Sequence, residues 1–199
     1  NLIPRYYDVT KGSVKVDGVD VRDMTQKELR DKLGYVPQKG VLFSGTIDSN
    51  IRYGKPEIID AQVKEAAEVA QATEFIDTKP EKYKSPVSQG GTNVSGGQKQ
   101  RLSIARAIAK DPEIFIFDDS FSALDFKTDS QLRKALKEYT KDATTVIVAQ
   151  RISTILGADQ IIVLDDGHMA GIGTHKELMA NCEVYQQIAR SQLSEEELA

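Results

Sequence analysis

Residues 90–107, written GGTNVSGGQKQRLSIARA, have the types and spacing needed to bind an anion. A loop with four glycines runs directly into a helix with an apolar face. Ser95 is a suitable N-cap for a helix that begins at Gly96, and its tip offers unpaired N–H groups and the positive end of the helix dipole. Glycines at 96 and 97 cost the helix roughly 1 kcal/mol each relative to alanine. This cost favours a ligand that approaches the tip closely, although a flexible loop before an ordinary helix is the simpler alternative.

The glycine segment does not complete a phosphate-binding P-loop. Gly91 and Gly96 have the required spacing, but Gly97 and Gln98 stand where that motif needs Lys and then Ser or Thr. Without the lysine no charge reaches the terminal phosphates, and without the hydroxyl a magnesium ligand is lost. No other segment of the sequence matches the motif.

Strand and helix signals alternate along the chain, which indicates an α/β fold with a largely parallel sheet. Residues 13–21 predict a hairpin that turns at Asp17-Gly18, and residues 160–173 predict a second one. The apolar runs at 113–119 and 144–150 are typical of strands covered on both faces.

Helix boundaries are predicted from capping residues and from apolar residues at helical spacing. Thr25 with Glu28 forms a capping box, and Gly34 is a natural stop for that helix. Asp60 is a plausible N-cap for the next one. Further apolar stripes are formed by Val63, Ala66, Ala67 and Ala70, by Leu102, Ala105, Ile108 and Ala109, and by Leu132, Ala135, Leu136 and Tyr139. We expect one domain over residues 1–199, with a solvated tail at 194–199.

Composition and charge exclude several classes of protein. The chain has 199 residues, 40% hydrophobic and 28% charged, and its net charge of −4 gives no electrostatic footprint for nucleic acid. A single cysteine, Cys182, excludes an internal disulfide framework and fits a reducing compartment. No apolar run approaches the roughly 18 to 20 residues that span a bilayer. The chain starts without Met or a signal segment, so we expect it to be part of something longer.

Several motifs, taken together, resemble the ATP-binding domain of ABC transporters over nearly the whole chain. VSGGQKQR at 94–101 is similar to the signature motif of that family, and YVPQ at 35–38 to its Q-loop. IFIFDD at 114–119 resembles its Walker B strand, and SALD at 122–125 its D-loop. VLFSGTIDSNIRYG at 41–54 resembles the exporter branch.

The resemblance implies a P-loop NTPase-like ABC ATPase fold, with a mainly parallel sheet, helices on both faces, and a helical signature subdomain at about residues 46–110. It also implies that NLIPRYYD, at 1–8, ends the helix that begins with the P-loop. We therefore expect a domain truncated at its N-terminus, with the P-loop and the strand before it upstream of Asn1. Loss of a core strand predicts self-association through exposed sheet surface.

In this family two such domains pair head to tail, with ATP held between one P-loop and the other domain's signature. The residues that the resemblance places at the γ-phosphate of the partner's ATP lie at the helix tip: Ser95, Gly96, Gly97 and Gln98. In the chain's own site, Asp118 would support Mg²⁺, and Gln38 would reach Mg²⁺ and the γ-phosphate and report to the transmembrane domains. Asp118 can also be a strand-end acid facing solvent. Asp125 would contact the opposing site, although an aspartate before a helix can equally be a cap.

Two positions depart from the family pattern. Asp119 stands where a glutamate usually polarises the attacking water, and a displacement on the scale of 1 Å can cost orders of magnitude in rate. Gln150 stands where a histidine usually contacts the γ-phosphate, and its amide cannot carry a positive charge. His168 and His175 lie elsewhere in the sequence and are expected to be structural.

These departures lead to the hypothesis that the chain is the degenerate half of a heterodimeric ABC exporter at the cytoplasmic face of the cell membrane. Its expected cofactors are ATP and Mg²⁺, and its expected partners are a second ABC ATPase domain and transmembrane domains, with no nucleic acid. One alternative is a fragment that binds no ATP and is inactive alone. Another, a chromosome-maintenance ATPase, is disfavoured because no long coiled coil separates Gln38 from Ser95.

Overall fold

The computed structural model describes residues 1–194. These residues divide into two units, Asn1–Val148 and a second that starts at Ala149. Apart from Ser194, the predicted tail lies outside the described residues. Residues 1–8, expected to end a helix, form turns instead, and the N–H of Tyr6 donates to the carbonyl of Asn1 at 3.0 Å.

The first hairpin and the first helix form where the sequence predicts them. Strands β1 (Lys15–Val16) and β2 (Val19–Asp20) pair antiparallel. Asp17 and Gly18 between them have φ of 51° and 79°, the positive values that a tight two-residue hairpin turn requires. Helix α1 (Gln26–Asp31) begins at the predicted capping box of Thr25 and Glu28.

The prediction that Gly34 stops α1 is wrong. Helix α1 ends at Asp31, and Gly34 lies inside strand β3 (Leu33–Val36). A Cβ at this position would lie 2.7 Å from Pro112 Cγ and 3.3 Å from the carbonyl oxygen of Ala107. Close packing between the strand and these neighbours therefore explains the glycine.

The central sheet of the first unit is parallel, as predicted. Strand β3 pairs with β6 (Ile114–Asp118), which pairs on its other side with β7 (Thr144–Val148). The middle of β6 is buried, but β7 is not covered on both faces, and Val148 is 53% exposed. The prediction of full coverage was wrong for β7, whose residues are all half-buried or exposed.

Four α-helices and two short strands lie between β3 and β6 in the chain. In order, the elements are β4 (Gly45–Thr46), α2 (Ile47–Ile51), α3 (Asp60–Val69), α4 (Thr73–Asp77), β5 (Pro86–Val87) and α5 (Gly96–Ala109). The predicted apolar stripes of α3 and α5 are buried. Ile59, not Asp60, is the N-cap of α3, and the carboxylate of Asp60 pairs with Arg52 instead. The boundaries of the helical subdomain stay a prediction.

One further helix, α6 (Phe126–Tyr139), lies between β6 and β7 in the chain. Its residues Leu132 and Leu136 are buried in the same apolar core as Phe115 and Phe117 of β6. The predicted stripe of α6 is thus the face that anchors this helix to the core.

The second unit has its own core. Its elements are α7 (Ile152–Ile155), β8 (Ile161–Asp165), β9 (His168–Gly173), α8 (His175–Asn181) and α9 (Glu183–Gln192). Strands β8 and β9 form the second predicted hairpin. Nδ1 of His175 lies 2.8 Å from the hydroxyl of the buried Tyr185, and Nδ1 of His168 lies 3.0 Å from the carbonyl oxygen of Asp166. No helix among the described residues is both long enough and apolar enough to cross a membrane.

Candidate functional site

The N-terminus of α5 has the cap that the sequence predicts. Ser95 is extended, with φ −68° and ψ 163°, and its Oγ accepts the N–H of Gln98 at 3.2 Å. In return, Oε1 of Gln98 accepts the N–H of Ser95 at 3.1 Å. The N–H of Gln98 is thus used in the cap, whereas those of Gly96 and Gly97 have no acceptor among the described residues.

The two glycines at the helix tip have different surroundings. A Cβ on Gly97 would lie 3.4 Å from the carbonyl oxygen of Ala123 and 3.8 Å from Leu124 Cδ2. A Cβ on Gly96 would meet nothing within 4 Å. Packing against the described part of the chain gives a partial reason for glycine at 97 but none for glycine at 96.

The rest of α5 holds this tip rigidly in place. Three residues of the helix, Leu102, Ile104 and Ala105, have no exposed surface, and Ile108 is 1% exposed. The helix runs for 14 residues and packs against α2 and α3. The polar tip is therefore the exposed end of an element whose body is fixed in the core.

A second group of polar side chains lies at the carboxyl end of β6. The hydroxyl of Tyr35, on the neighbouring strand β3, donates to Oδ2 of Asp118 at 3.0 Å. Burial, together with this hydrogen bond, raises the pKa of Tyr35 to about 12, so the phenol stays protonated as a donor. Tyr35 was not among the predicted site residues, because only the pairing of β3 with β6 brings it to Asp118.

Asp119 and Gln38 also meet at this edge of the sheet. Nε2 of Gln38 donates to Oδ2 of Asp119 at 3.0 Å, across 81 positions of sequence. Asp119 has a φ of 45°, in the left-handed region that aspartate enters more readily than most residues do, and its N–H donates to the carbonyl of Val148 at 2.8 Å. The chain thus leaves β6 in a turn that points the Asp119 carboxylate at Gln38.

Asp125 is the N-cap of α6, the simpler of its two predicted roles. Its carboxylate accepts the N–H of Thr128 at 2.9 Å and the hydroxyl of Thr128 at 2.7 Å. The hydrogen bonds from Thr128 lower the pKa of Asp125. Contact with an opposing site stays a prediction.

Gln150 belongs to the second unit, two residues after the end of β7. Its backbone carbonyl accepts a hydrogen bond from Nε2 of Gln192 at 2.9 Å. The predicted grouping of Gln150 with Asp119 in one catalytic site stays a prediction.

The residues at the sheet edge fit part of a magnesium–nucleotide site. Asp118 and Gln38 supply carboxylate and amide oxygens, the ligands that Mg²⁺ takes in proteins. Among the described residues no three His, Cys, Asp or Glu side chains converge as a metal cluster. Mg²⁺ usually keeps several waters and is bound through one or two carboxylates together with substrate phosphates, which suits this sparse set.

The ABC transporter family profile matches residues 1–122 of the sequence. This range includes the capped helix tip and both acids at the end of β6. The chain belongs to the ABC transporter family. The match confirms the family resemblance of the sequence motifs.

Individual members of the ABC transporter family extend the match along the chain. An uncharacterized ABC transporter ATP-binding protein of Mycobacterium tuberculosis is 47% identical over 195 residues, which cover 96% of this chain and 33% of that protein. A protein of Staphylococcus aureus, provisionally named a multidrug export ATP-binding/permease protein, is 46% identical over 188 residues, covering 94% of this chain and 32% of its own length. The chain spans about a third of the length of these relatives.

The structure of a bacterial Atm1-family ABC exporter with ATP bound has the same fold. It superposes with a TM-score of 0.93 and 39% sequence identity, over 98% of this chain and 34% of that one. The similarity confirms the expected α/β ABC ATPase fold. Together with the family match, it supports an ATP-binding domain of the exporter type.

Proposed function

We propose that this chain is the nucleotide-binding part of an ABC exporter, in which ATP binding and hydrolysis between two ATPase domains drive transport across a membrane. Its partners are a second ABC ATPase domain and transmembrane domains, and it works at the cytoplasmic face. The family match, the relatives named for export and the ATP-bound structural neighbour support this assignment.

The tip of α5 is the observation that carries the proposal. Ser95 caps the helix, while two N–H groups, those of Gly96 and Gly97, have no acceptor among the described residues. Such a tip is a ready-made anion site. No packing contact among residues 1–194 requires glycine at 96, and close approach by the γ-phosphate of ATP carried by the partner domain would explain it.

The chain's own nucleotide site contains Asp118, Gln38 and Asp119. Bound Mg²⁺ would neutralise charge on the phosphate oxygens, and Asp118 and Gln38 are the residues that would hold it. Tyr35 fixes one oxygen of Asp118, and Gln38 is held by Asp119. Asp119 is the residue in place to orient a water, but its carboxylate is one methylene shorter than the glutamate usual in the family.

The substitutions at Asp119 and Gln150 make the chain the degenerate half of a heterodimer in this proposal. Gln150 can donate a hydrogen bond to a phosphate oxygen but cannot supply a positive charge. The intact tip at Ser95 would still complete the working site, whose P-loop and glutamate belong to the other half.

The test restores the two side chains in the intact transporter that contains this chain. In a background where the partner half's own catalytic glutamate is replaced by glutamine, the unmodified pair should hydrolyse ATP very slowly. The double substitution Asp119→Glu and Gln150→His should then restore steady-state ATP turnover at this chain's site. The exposed Asp142→Glu substitution is the matched control and should restore nothing. Unchanged turnover in the double variant counts against a degenerate site.

A further inference from the structure

Gln100 of α5 joins the loop that carries Gln38 to the helix that carries Ser95. Its side chain is buried, with 1% of the residue exposed, and both ends of its amide are bonded to that loop. Nε2 donates to the carbonyl oxygen of Pro37 at 3.0 Å, and Oε1 accepts the N–H of Gly40 at 2.9 Å. The two bonded backbone groups lie on either side of Gln38.

Two more contacts press the same loop onto α5. A Cβ on Gly40 would lie 2.8 Å from the carbonyl oxygen of Lys99 and 2.9 Å from Oγ of Ser103, so the loop approaches the helix as closely as a glycine permits. One turn and a half further along α5, Nη1 of Arg106 donates to the carbonyl oxygen of Val41 at 2.9 Å. The loop after β3 is thus fixed to one helix face over residues 37–41.

We propose that Gln100 is a positioning residue, which sets where Gln38 lies relative to the nucleotide-contacting tip at Ser95. That Gln38 and the tip at Ser95 contact nucleotide rests on the proposed function. An amide is suited to this task because it donates at one end and accepts at the other, which matches the carbonyl one residue before Gln38 and the N–H two residues after it. The position of α5 then determines that of Gln38, which in turn contacts Asp119.

A purely structural role for Gln100 makes a different prediction. A buried amide that only satisfies hydrogen bonds would, when removed, lower stability throughout the unit without changing the Gln38 side chain in particular. A positioning role requires a local change at residues 37–41. The structural and the positioning role can be separated by comparing the changes at residues 37–41 with the changes at the buried residues of α5.

The first experiment is nuclear magnetic resonance of the 199-residue chain without nucleotide. In Gln100→Met the backbone amide of Gly40 should exchange with solvent about five- to tenfold faster than in the unmodified chain, as expected for the loss of one buried hydrogen bond. The amides of Ala105 and Ile108 in α5 are the reference, and their exchange should change less. The side-chain amide resonances of Gln38 should move toward those of a solvated glutamine. The same changes should appear in Gly40→Ala, which breaks the contact from the loop side and leaves α5 unaltered.

Leu102→Ala is the matched control, since it removes a fully buried side chain from the same helix without touching the loop contacts. It should raise exchange across the unit and leave the Gln38 side-chain resonances in place. The proposal is overturned if Gln38 is unchanged in both Gln100→Met and Gly40→Ala, or if Leu102→Ala moves it equally.

The second experiment measures ATP turnover at this chain's own site, with and without Gln100→Met, in the intact transporter that carries Asp119→Glu and Gln150→His here and glutamine for the catalytic glutamate of the partner half. Because Gln38 is expected to align the reacting groups and not to supply most of the ground-state binding, kcat should fall several-fold with KM for MgATP nearly unchanged. A higher KM at unchanged kcat overturns the positioning role. A transporter without ATPase activity would overturn the proposed function alone, since the resonance experiment needs no nucleotide.

Discussion

Gly96 and Gly97 are neighbours in one helix turn, yet only at Gly97 would an added Cβ contact another part of the described chain. Gly97 faces the backbone of Ala123, whereas a Cβ on Gly96 would have open space around it. Glycine at 96 therefore lowers helix stability without any benefit to packing within the described residues. This loss of stability is what the proposed close approach of a phosphate to the tip would explain.

Replacing Gly96 by alanine should consequently separate stability from activity. The free energy of unfolding should rise by up to about 1 kcal/mol, because alanine is the better helix former and its methyl group meets no neighbour. ATP turnover of the intact transporter should fall, because the methyl group would stand where the γ-phosphate is expected. Urea unfolding of the chain and steady-state ATPase assays measure the two effects.

Gly97→Ala is the matched comparison for this prediction. Its methyl group would lie 3.4 Å from the carbonyl oxygen of Ala123, at the short end of ordinary contact, so the gain in stability should be no larger than at position 96. A Gly96→Ala variant that is more stable and fully active would remove the reason for placing a phosphate at this tip.

At the scale of single residues, the sequence predicted those roles that depend on near neighbours. Ser95 and Asp125 are caps whose partners lie three residues away, so residue type and position sufficed. The contact of Gln38 with Asp119 and that of Tyr35 with Asp118 join residues more than 80 positions apart. Those contacts depend on the pairing of β3 with β6, which a local pattern does not specify.

At the scale of elements, Gly34 is explained by close packing of strand β3 and not by the backbone conformation of a helix end. Gly34→Ala should lower the free energy of unfolding by about 1–3 kcal/mol, because the new methyl group would lie 2.7 Å from Pro112 Cγ in a well-packed interior. Thermal or urea unfolding of the 199-residue chain measures this.

Gly157→Ala is the control for that experiment, since a Cβ at 157 would meet nothing within 4 Å. Its effect should stay within about 0.5 kcal/mol. Equal stability of the two variants would show that β3 can shift away from Pro112 without cost.

The hairpins and the capped helix α1 were predictable because their signals are contained within a few residues. The wrong assignments concern contacts that a local pattern does not specify. The carboxylate of Asp60 pairs with Arg52 while Ile59 is the N-cap of α3, and the residues of β7 are half-buried or exposed although both faces were predicted to be covered. Apolar composition identified β7 as a strand but not its place in the sheet.

At the scale of the whole molecule, we propose nucleotide contacts at two places, but the sequence contains no phosphate-binding loop. The helix tip supplies N–H groups and the edge of β6 supplies Asp118 and Gln38. In ATPases with a P-loop, its backbone and lysine surround the phosphates and provide much of the binding. Neither place encloses a phosphate group in this way, so neither is expected to hold a nucleotide tightly by itself.

Isothermal titration of the 199-residue chain with MgATP should therefore show no saturable binding in the micromolar range. Heat from mixing should match that of MgATP titrated into a Ser95→Ala, Asp118→Asn variant, which lacks the proposed contacts at both places. Micromolar affinity in the unmodified chain, lost in this variant, would mean that the tip and the sheet edge bind nucleotide without a P-loop. The chain would then be a nucleotide-binding protein in its own right, and the head-to-tail partner would no longer be needed to explain the helix tip.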